Sequence, residues 1–290
     1  MSKRDGDLRS WQTVSSADGT AISFVTTGRG APVIVVSGVL STTADFTSFA
    51  KALGRTHTVH TVERRGRGLS GPQGDDYSMI KECEDVAAVQ AATGASFIFG
   101  HSYGGLIALE AARSSQVYRK VAVYEPGVSV AGSIGLGWID DCKAKLAKGK
   151  PLEAFAAFSI AAGPRRARRT PLWAMTLLLP LFISAADRRQ MFALLPANLR
   201  EHKVIGQLDD SYPRYGQLQA DVLAMCGGKS DLDWVGLAMD ALASVLPSVM
   251  VKAFPKLDHF GPTKTGPRDV AKAAGMFFQD HTITAERTRG

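Results

Sequence analysis

The chain has 290 residues, of which 45% are hydrophobic and 21% charged, and this composition is typical of a globular protein with a full core. No stretch reaches the roughly 18 apolar residues needed to cross a bilayer, and the polar start MSKRDGDLRSW does not resemble a signal peptide. The net charge of +7 favours anionic partners in general, and no nucleic-acid-binding motif accompanies it.

The first half of the chain alternates short apolar segments with helical patterns. This alternation predicts a largely parallel sheet covered by helices. The predicted strands are 21–26, 32–37, 58–63, 96–100 and 121–125. The predicted helices are 43–53, 78–93 and 103–114.

Residues 126–220 interrupt this alternation, because they contain no clear strand and several apolar helical stretches broken by prolines. We interpret them as a helical insertion over the edge of the sheet. Two strands are then predicted at 222–226 and 249–254, with a helix at 233–246 between them and a final helix at 268–279. The C-terminal TITAERTRG has no apolar period, and we expect it to fray.

The segment GHSYG, residues 100–104, lies between a predicted strand and a predicted helix. A Gly-x-Ser-x-Gly pattern in that setting is typical of a sharp turn that exposes a nucleophilic serine, because larger residues would collide with neighbouring backbone. The following helix would present its N-terminus to developing negative charge. We therefore interpret Ser102 as a nucleophile in preference to a residue of an ordinary glycine-rich turn.

Two further motifs accompany GHSYG, and together the three make the chain resemble the α/β-hydrolase family over nearly its whole length. VIVVSGVLST, residues 33–42, is similar to the family's strand and oxyanion loop, with Ser37 at the position where the family usually has histidine. ERRGRGLS, residues 63–70, is similar to the family turn Asp-x-Arg-Gly-x-Gly-x-Ser, with Glu63 in place of aspartate.

This resemblance implies an α/β fold with a mostly parallel eight-stranded α/β-hydrolase sheet, flanked by helices, and a helical cap inserted after the sixth strand. The core would comprise residues 1–125 and 221–290, and the cap, or lid, residues 126–220. The resemblance also implies an oxyanion hole formed by the backbone N–H groups of Val39 and Tyr103.

The family's chain order is nucleophile, acid and then base, which excludes the early histidines. His101 lies within the turn itself, His202 in the insertion and His281 in the C-terminal tail. His259 remains, in the loop PKLDHFGP directly after the last predicted strand. A neutral imidazole there would accept the serine proton and return it to the leaving group.

The acid of the triad has two candidates. Most family members carry it after the seventh strand, where this chain reads VLAMCGGKSDLDW. Counted from Gly228, Asp231 fits the acidic position, whereas the count from Gly227 reaches Ser230. Other members carry the acid after the sixth strand, and KVAVYEPG places Glu125 there. The sequence leaves Glu125 and Asp231 as equal candidates.

The insertion contains a basic run, RRARR at residues 165–169, followed by the apolar LWAMTLLLPLF. Binding to a membrane surface or to an acidic partner is one interpretation. We favour a solvated turn before a helix that packs on the sheet, and so expect no membrane contact. Seven large side chains are candidates for the wall of an apolar pocket, namely Trp138, Phe155, Phe158, Trp173, Met175, Phe182 and Met191.

These features predict a serine hydrolase that cleaves a small, mostly apolar ester, lactone or thioester through an acyl-enzyme. The alternatives are an acyltransferase or cyclising thioesterase, a non-catalytic ligand-binding protein, and cofactor-free haloperoxidase or carbon–carbon hydrolase chemistry. Dehalogenases and epoxide hydrolases are disfavoured, because related enzymes carry aspartate at the position of Ser102.

No metal, organic cofactor or nucleic acid is expected, and the expected partner is a small acyl substrate. The sequence does not indicate an oligomeric state. The three cysteines, Cys83, Cys142 and Cys226, are too widely spaced to form a metal site or a disulfide framework. They therefore predict a reducing, cytoplasmic setting.

Overall fold

The structure is a computed structural model that describes residues 10–279. Within this range the strands are β1 (Ser10–Ser15), β2 (Ala21–Gly28), β3 (Ala31–Val36), β4 (His57–Glu63), β5 (Phe97–His101), β6 (Lys120–Tyr124), β7 (Asp221–Gly227) and β8 (Val249–Phe254). The α-helices are α1 (Thr47–Leu53), α2 (Met79–Thr93), α3 (Tyr103–Ser114), α4 (Ile139–Ala147), α5 (Pro151–Ala162), α6 (Leu172–Phe182), α7 (Ala185–Gln207), α8 (Asp233–Val245) and α9 (Pro267–Gln279). His281, the C-terminal segment expected to fray and most of the polar start lie outside the described residues.

The eight strands form one sheet in the order β1-β2-β4-β3-β5-β6-β7-β8. Strand β2 runs antiparallel to β1 and β4, and every other neighbouring pair is parallel. The predicted fold class is therefore confirmed, and each predicted strand agrees with the structure to within two residues at either end. Strand β1 was not predicted individually, because its sequence SWQTVS is mostly polar and pairs only with β2 at the sheet edge.

The central strands read as continuous apolar runs because both faces of the sheet are covered. Alternate residues of β3 point to opposite sides, so Ile34 belongs to the apolar cluster that includes residues of α2, α3 and α8, whereas Val35 belongs to the cluster that includes residues of α1 and α9. This sandwich leaves the carboxyl ends of the parallel strands as the edge at which loops can gather functional side chains.

Helices α4 to α7 and a short 3-10 helix (Arg165–Arg169) lie between β6 and β7 in the chain. The four α-helices share an apolar cluster, which Leu40 joins. Prolines interrupt this region less than the sequence indicated, because Pro180 lies inside α6 and Pro196 inside the 23-residue α7. The division into a core domain and a cap domain stays a prediction. Among the described residues, no helix is long and apolar enough to cross a membrane.

Candidate active site

Ser102 occupies the turn between β5 and α3 with a backbone φ of 54° and ψ of −122°. A positive φ is uncommon for any residue except glycine and must be held by its surroundings. Two main-chain hydrogen bonds hold it here, from Ser102 N–H to the Tyr124 carbonyl (3.0 Å) and from Gly127 N–H to the Ser102 carbonyl (2.8 Å). The turn is thereby tied to the end of the neighbouring strand β6.

The glycines around Ser102 are required by close backbone approaches. A Cβ placed on Gly100 would lie 2.2 Å from the Gly104 carbonyl oxygen, and a Cβ on Gly104 would lie 2.3 Å from the Val36 carbonyl oxygen. Neither position has room for a side chain. The pattern Gly-x-Ser-x-Gly is therefore needed for α3 to begin against β3 and β5.

His259 lies in the loop after β8 and contacts the carboxylate of Glu125, with 2.7 Å between His259 Nδ1 and Glu125 Oε2. Because a carboxylate accepts hydrogen bonds, Nδ1–H is the donor in this pair, and Nε2 of the same tautomer is an acceptor. Glu125 is fully buried and also has a positive φ, 43°. Its other oxygen, Oε1, accepts hydrogen bonds from Gly227 N–H (2.7 Å) and from the Ser230 hydroxyl.

Of the two candidate acids, the structure brings Glu125 and not Asp231 to His259. Asp231 and His259 line one cavity, but the side chain of Asp231 forms no hydrogen bond with His259 in the described structure. Its main-chain carbonyl instead accepts a hydrogen bond from Arg165 N–H (3.1 Å). The acidic position counted from Gly227 holds Ser230, and that serine binds Glu125.

Two side chains from the strand ends hold the His259 loop in place, and no sequence pattern indicated either contact. His101 Nε2 lies 2.8 Å from the His259 carbonyl oxygen, and the Tyr124 hydroxyl donates to the Asp258 carbonyl (2.7 Å). Burial lowers the pKa of His101 to about 3, so its ring stays neutral near pH 7. Nε2–H of His101 therefore donates to the main chain of the loop, and His101 helps to hold the loop in place.

The backbone amides of Val39 and Tyr103 belong to the loop after β3 and to the first residue of α3, respectively. Residues 37–39 run beside the serine, since a Cβ on Gly38 would lie 3.0 Å from Ser102 Cβ. The chain turns sharply after Val39, where Leu40 has a φ of 54°. Within residues 10–279 neither the Val39 nor the Tyr103 amide is paired with an acceptor, so both N–H groups are available to a ligand.

A buried charge network lies behind these amides, and sequence reasoning missed it. Arg64, the residue after β4, is 1% exposed and forms a forked pair with Glu82, Nε to Oε2 at 3.0 Å and Nη2 to Oε1 at 2.5 Å. It also donates to Glu201 of α7 (3.0 Å) and to the Gly38 carbonyl (3.2 Å), and its guanidinium lies 4.7 Å from the centre of the Tyr103 ring. In the sequence, the indication of this network is the group of three arginines in ERRGRG, residues 63–68.

Ser102 and His259 line one cavity of about 610 Å³. Of the seven predicted wall residues, Phe155, Phe158 and Met191 line it. The prediction is wrong for the other four: Trp138 is buried beneath Phe158 and His202, Met175 packs within the insertion, and Trp173 and Phe182 are 71% and 81% exposed. Helical periodicity could not distinguish the two sides of α6, because both are apolar.

No three histidine, cysteine, aspartate or glutamate side chains within residues 10–279 are grouped closely enough to hold a metal ion. The cavity does contain polar side chains at its walls, among them Asp45, Ser159, Gln190 and Lys229. These can contact a polar part of a bound ligand, while the aromatic residues contact an apolar part.

Comparison with known proteins agrees with this architecture. The model of the alpha/beta hydrolase family matches residues 33–273. An N-formylmaleamate deformylase from Pseudomonas putida is 31% identical over 109 residues, a match that covers 36% of this chain and 41% of that protein.

Two solved structures extend the comparison to nearly the whole fold. An alpha/beta hydrolase from Sphaerobacter thermophilus has a TM-score of 0.78 at 29% identity, over 92% of this chain and 100% of that one. An esterase from Rhodococcus sp. has a TM-score of 0.67 at 19% identity, over 93% and 99%, and this similarity shows the shared fold alone. Because the family match spans well over half of its length, the chain belongs to the alpha/beta hydrolase family.

Proposed function

We propose that the protein is a serine hydrolase that cleaves a carboxylic ester, lactone or thioester of a small, mostly apolar substrate. The observation that carries the proposal is one cavity lined both by Ser102, on a turn with positive φ, and by His259, whose Nδ1 contacts the buried Glu125. This arrangement suits a nucleophile, a base and an orienting acid.

In the proposed reaction, Ser102 Oγ attacks the substrate carbonyl carbon while His259 Nε2 takes the hydroxyl proton. The carbonyl oxygen becomes an oxyanion that accepts hydrogen bonds from the N–H groups of Val39 and Tyr103, and Glu125 stabilises the imidazolium. Collapse of the intermediate breaks the bond to the leaving group, which receives the proton from His259. Water then attacks the acyl-enzyme by the same route and releases the acid.

The walls of the cavity support an acyl or ring-containing substrate of moderate size. Phe155, Phe158 and Met191 offer apolar surface, and about 610 Å³ lies within the range of small-molecule sites. The deformylase relative makes an N-formyl amide a further bond class to include in a substrate panel.

The test combines a panel of p-nitrophenyl esters with labelling by a fluorophosphonate probe. We expect the wild-type protein to hydrolyse short apolar esters and to be labelled at Ser102, and we expect Ser102→Ala to lose about a million-fold in kcat without labelling. Product analysis with and without an added alcohol separates hydrolysis from acyl transfer. A folded wild-type protein that neither turns over any ester nor reacts with the probe contradicts the proposal.

A further inference from the structure

Helix α6 presents an exposed apolar surface, which we call the α6 ridge, formed by Trp173, Leu177, Leu178, Leu181 and Phe182. Trp173, Leu177 and Leu181 follow one another at intervals of four residues, so they lie along one side of the helix. The exposed fractions of the five side chains range from 42% for Leu178 to 81% for Phe182. Contiguous exposed apolar side chains of this kind mark an interaction site.

Arginines lie at both ends of the α6 ridge. The 3-10 helix before α6 carries Arg165 and Arg168, which share the single carboxylate of Asp233, and the exposed Arg169. Two more arginines follow α6 in the first turns of α7. Arg188 donates to the main-chain carbonyls of Pro180 and Ile183 and forms no ion pair within the described residues, and Arg189 is exposed.

The ridge also lies beside the candidate active site. Gly163, Pro164 and Arg168, which precede α6, line the cavity that contains Ser102 and His259, as do Ile183 and Asp187, which follow it. A binding partner in contact with the α6 ridge would therefore lie next to this cavity.

We propose that the α6 ridge docks on the surface of an anionic phospholipid bilayer, with α6 in the plane of the interface. Apolar side chains would enter the boundary between headgroups and acyl chains, and the flanking arginines would contact lipid phosphates. A second copy of the chain fits less well. Because arginines lie at both ends of α6, pairing two ridges in either direction would place arginine against arginine. This proposal replaces the sequence-based expectation of no membrane contact.

The test is flotation of the purified protein with vesicles of phosphatidylcholine alone or mixed with phosphatidylglycerol. We expect it to float with the mixed vesicles only, and less as salt is raised. Arg169→Gln with Arg189→Gln should lower the partition coefficient about 25-fold, at roughly fivefold for each arginine. Leu177→Ser with Leu181→Ser should lower it about 100-fold or more.

The matched control is Leu69→Ser with Met276→Ser, since these side chains are 65% and 61% exposed on other parts of the surface. This pair should float as the wild type does. Equal flotation with both kinds of vesicle, no flotation at all, or unchanged flotation of the α6 ridge variant would overturn the proposal. A dimer in solution that the ridge variant converts to monomer, without vesicle binding, would identify a second copy as the occupant. None of these measurements depends on hydrolase activity.

A second inference rests on the proposed function and concerns Arg64. Its Nη1 donates to the carbonyl oxygens of Gly38 (3.2 Å) and Ser37 (3.4 Å). The Gly38 carbonyl belongs to the same planar peptide unit as the Val39 N–H, and the two groups point in opposite directions. A guanidinium that holds this carbonyl therefore sets the direction of the Val39 N–H.

Arg64 also contacts the side chain of Tyr103, whose main chain carries the second amide, and a residue of the insertion. Its guanidinium lies over the ring of Tyr103, and Glu201 of α7 accepts hydrogen bonds from both Arg64 (3.0 Å) and Arg67 (2.6 Å). We infer that Arg64 is a positioning residue for the oxyanion hole and that Glu201 links helix α7 to it.

Arg64→Lys keeps the charge but loses the forked geometry, and Arg65→Lys is the matched control. Arg65 is equally buried and pairs bidentately with Asp85, with both distances 2.7 Å, but it donates no hydrogen bond to residues 37–39 in the described part of the chain. We expect similar losses of melting temperature in both variants. Only Arg64→Lys should lower kcat, by about 10- to 100-fold at unchanged KM. The loss is moderate because the Val39 N–H is displaced but not removed.

If the wild type reacts with the fluorophosphonate probe and the two variants have equal kcat values, the inference is wrong. If the wild type does not react with the probe, the proposed function is wrong instead. If Arg64→Lys does not fold, Glu201→Gln serves in its place. Glutamine keeps the shape of the side chain and removes one of the negative charges that pair with Arg64. Glu201→Gln should then show a smaller loss of kcat at unchanged KM.

Discussion

Glu125 and Asp231 are both acidic residues near the candidate active site, but their surroundings differ. Both follow parallel strands that end at the same edge of the sheet, β6 and β7 respectively. Glu125 is fully buried with both oxygens hydrogen-bonded, one of them to His259. Asp231 is partly exposed, and its side chain is not bound to His259. The two carboxylates therefore have different expected roles although the sequence presents them alike.

We expect Glu125→Gln to lower kcat on the order of ten-thousand-fold, because a neutral amide cannot stabilise the imidazolium that forms on His259. Glutamine keeps the shape of the side chain and its hydrogen bond from Gly227 N–H. Asp231→Asn is the control and should retain wild-type kcat. Ester turnover of both variants, beside their melting temperatures, measures this. A greater loss in Asp231→Asn would reverse the assignment.

At the scale of elements, the turn between β5 and α3 depends on how closely two backbones approach. Gly104 lies in the first turn of α3, where a Cβ added to it would be 2.3 Å from the Val36 carbonyl oxygen and 2.6 Å from the Ser37 carbonyl oxygen. Gly236 of α8 is also helical, but a Cβ there would meet nothing within 4 Å. The same change of residue therefore has opposite expected effects in the two helices.

Gly104→Ala should lower the free energy of unfolding by about 1–3 kcal/mol or more, because the added methyl group forces β3 and α3 apart. Gly236→Ala should raise the free energy of unfolding by about 0.5–1 kcal/mol, since alanine loses less backbone entropy in a helix. Urea unfolding of both variants measures this. A neutral Gly104→Ala would show that the turn has more room than the structure indicates.

The elements also explain why distant residues gather. Strands β5, β6 and β8 are parallel, so Ser102, Glu125 and His259, each after its own strand, lie at one edge of the sheet. Strand ends can be predicted from local apolar runs, and this part of the site followed from the sequence. The choice between Glu125 and Asp231 could not be predicted, because it depends on how the loops after β6, β7 and β8 lie relative to one another.

For the whole molecule, four buried histidines make stability depend on pH. Burial lowers the pKa of His57, His60, His101 and His202, and that of His202 falls to about 4 from an ordinary 6.5. The folded protein keeps His202 neutral down to about pH 4, whereas the unfolded chain binds a proton below pH 6.5. Unfolding therefore takes up a proton in this window, and the free energy of unfolding falls as pH falls through it.

His202→Phe should reduce this dependence, since a phenylalanine ring keeps the packing against Trp138 and Phe158 without a titrating nitrogen. The difference in unfolding free energy between pH 7 and pH 5 should shrink by about 2 kcal/mol relative to the wild type. Urea unfolding at the two pH values measures this. An unchanged difference would mean that His202 does not titrate in this range on unfolding.

The sequence by itself determined the alternation of strands and helices, the turn at Ser102 and the position of His259 after the last strand. These features are local, because they depend on apolar periodicity and on the space around glycines. Only the tertiary structure decided that Glu125 contacts His259, that Arg64 joins the Gly38 carbonyl to Glu201, and that the outer side of α6 is exposed. Each of these features depends on contacts between segments that are distant in the chain, and a local pattern of residues does not predict such contacts.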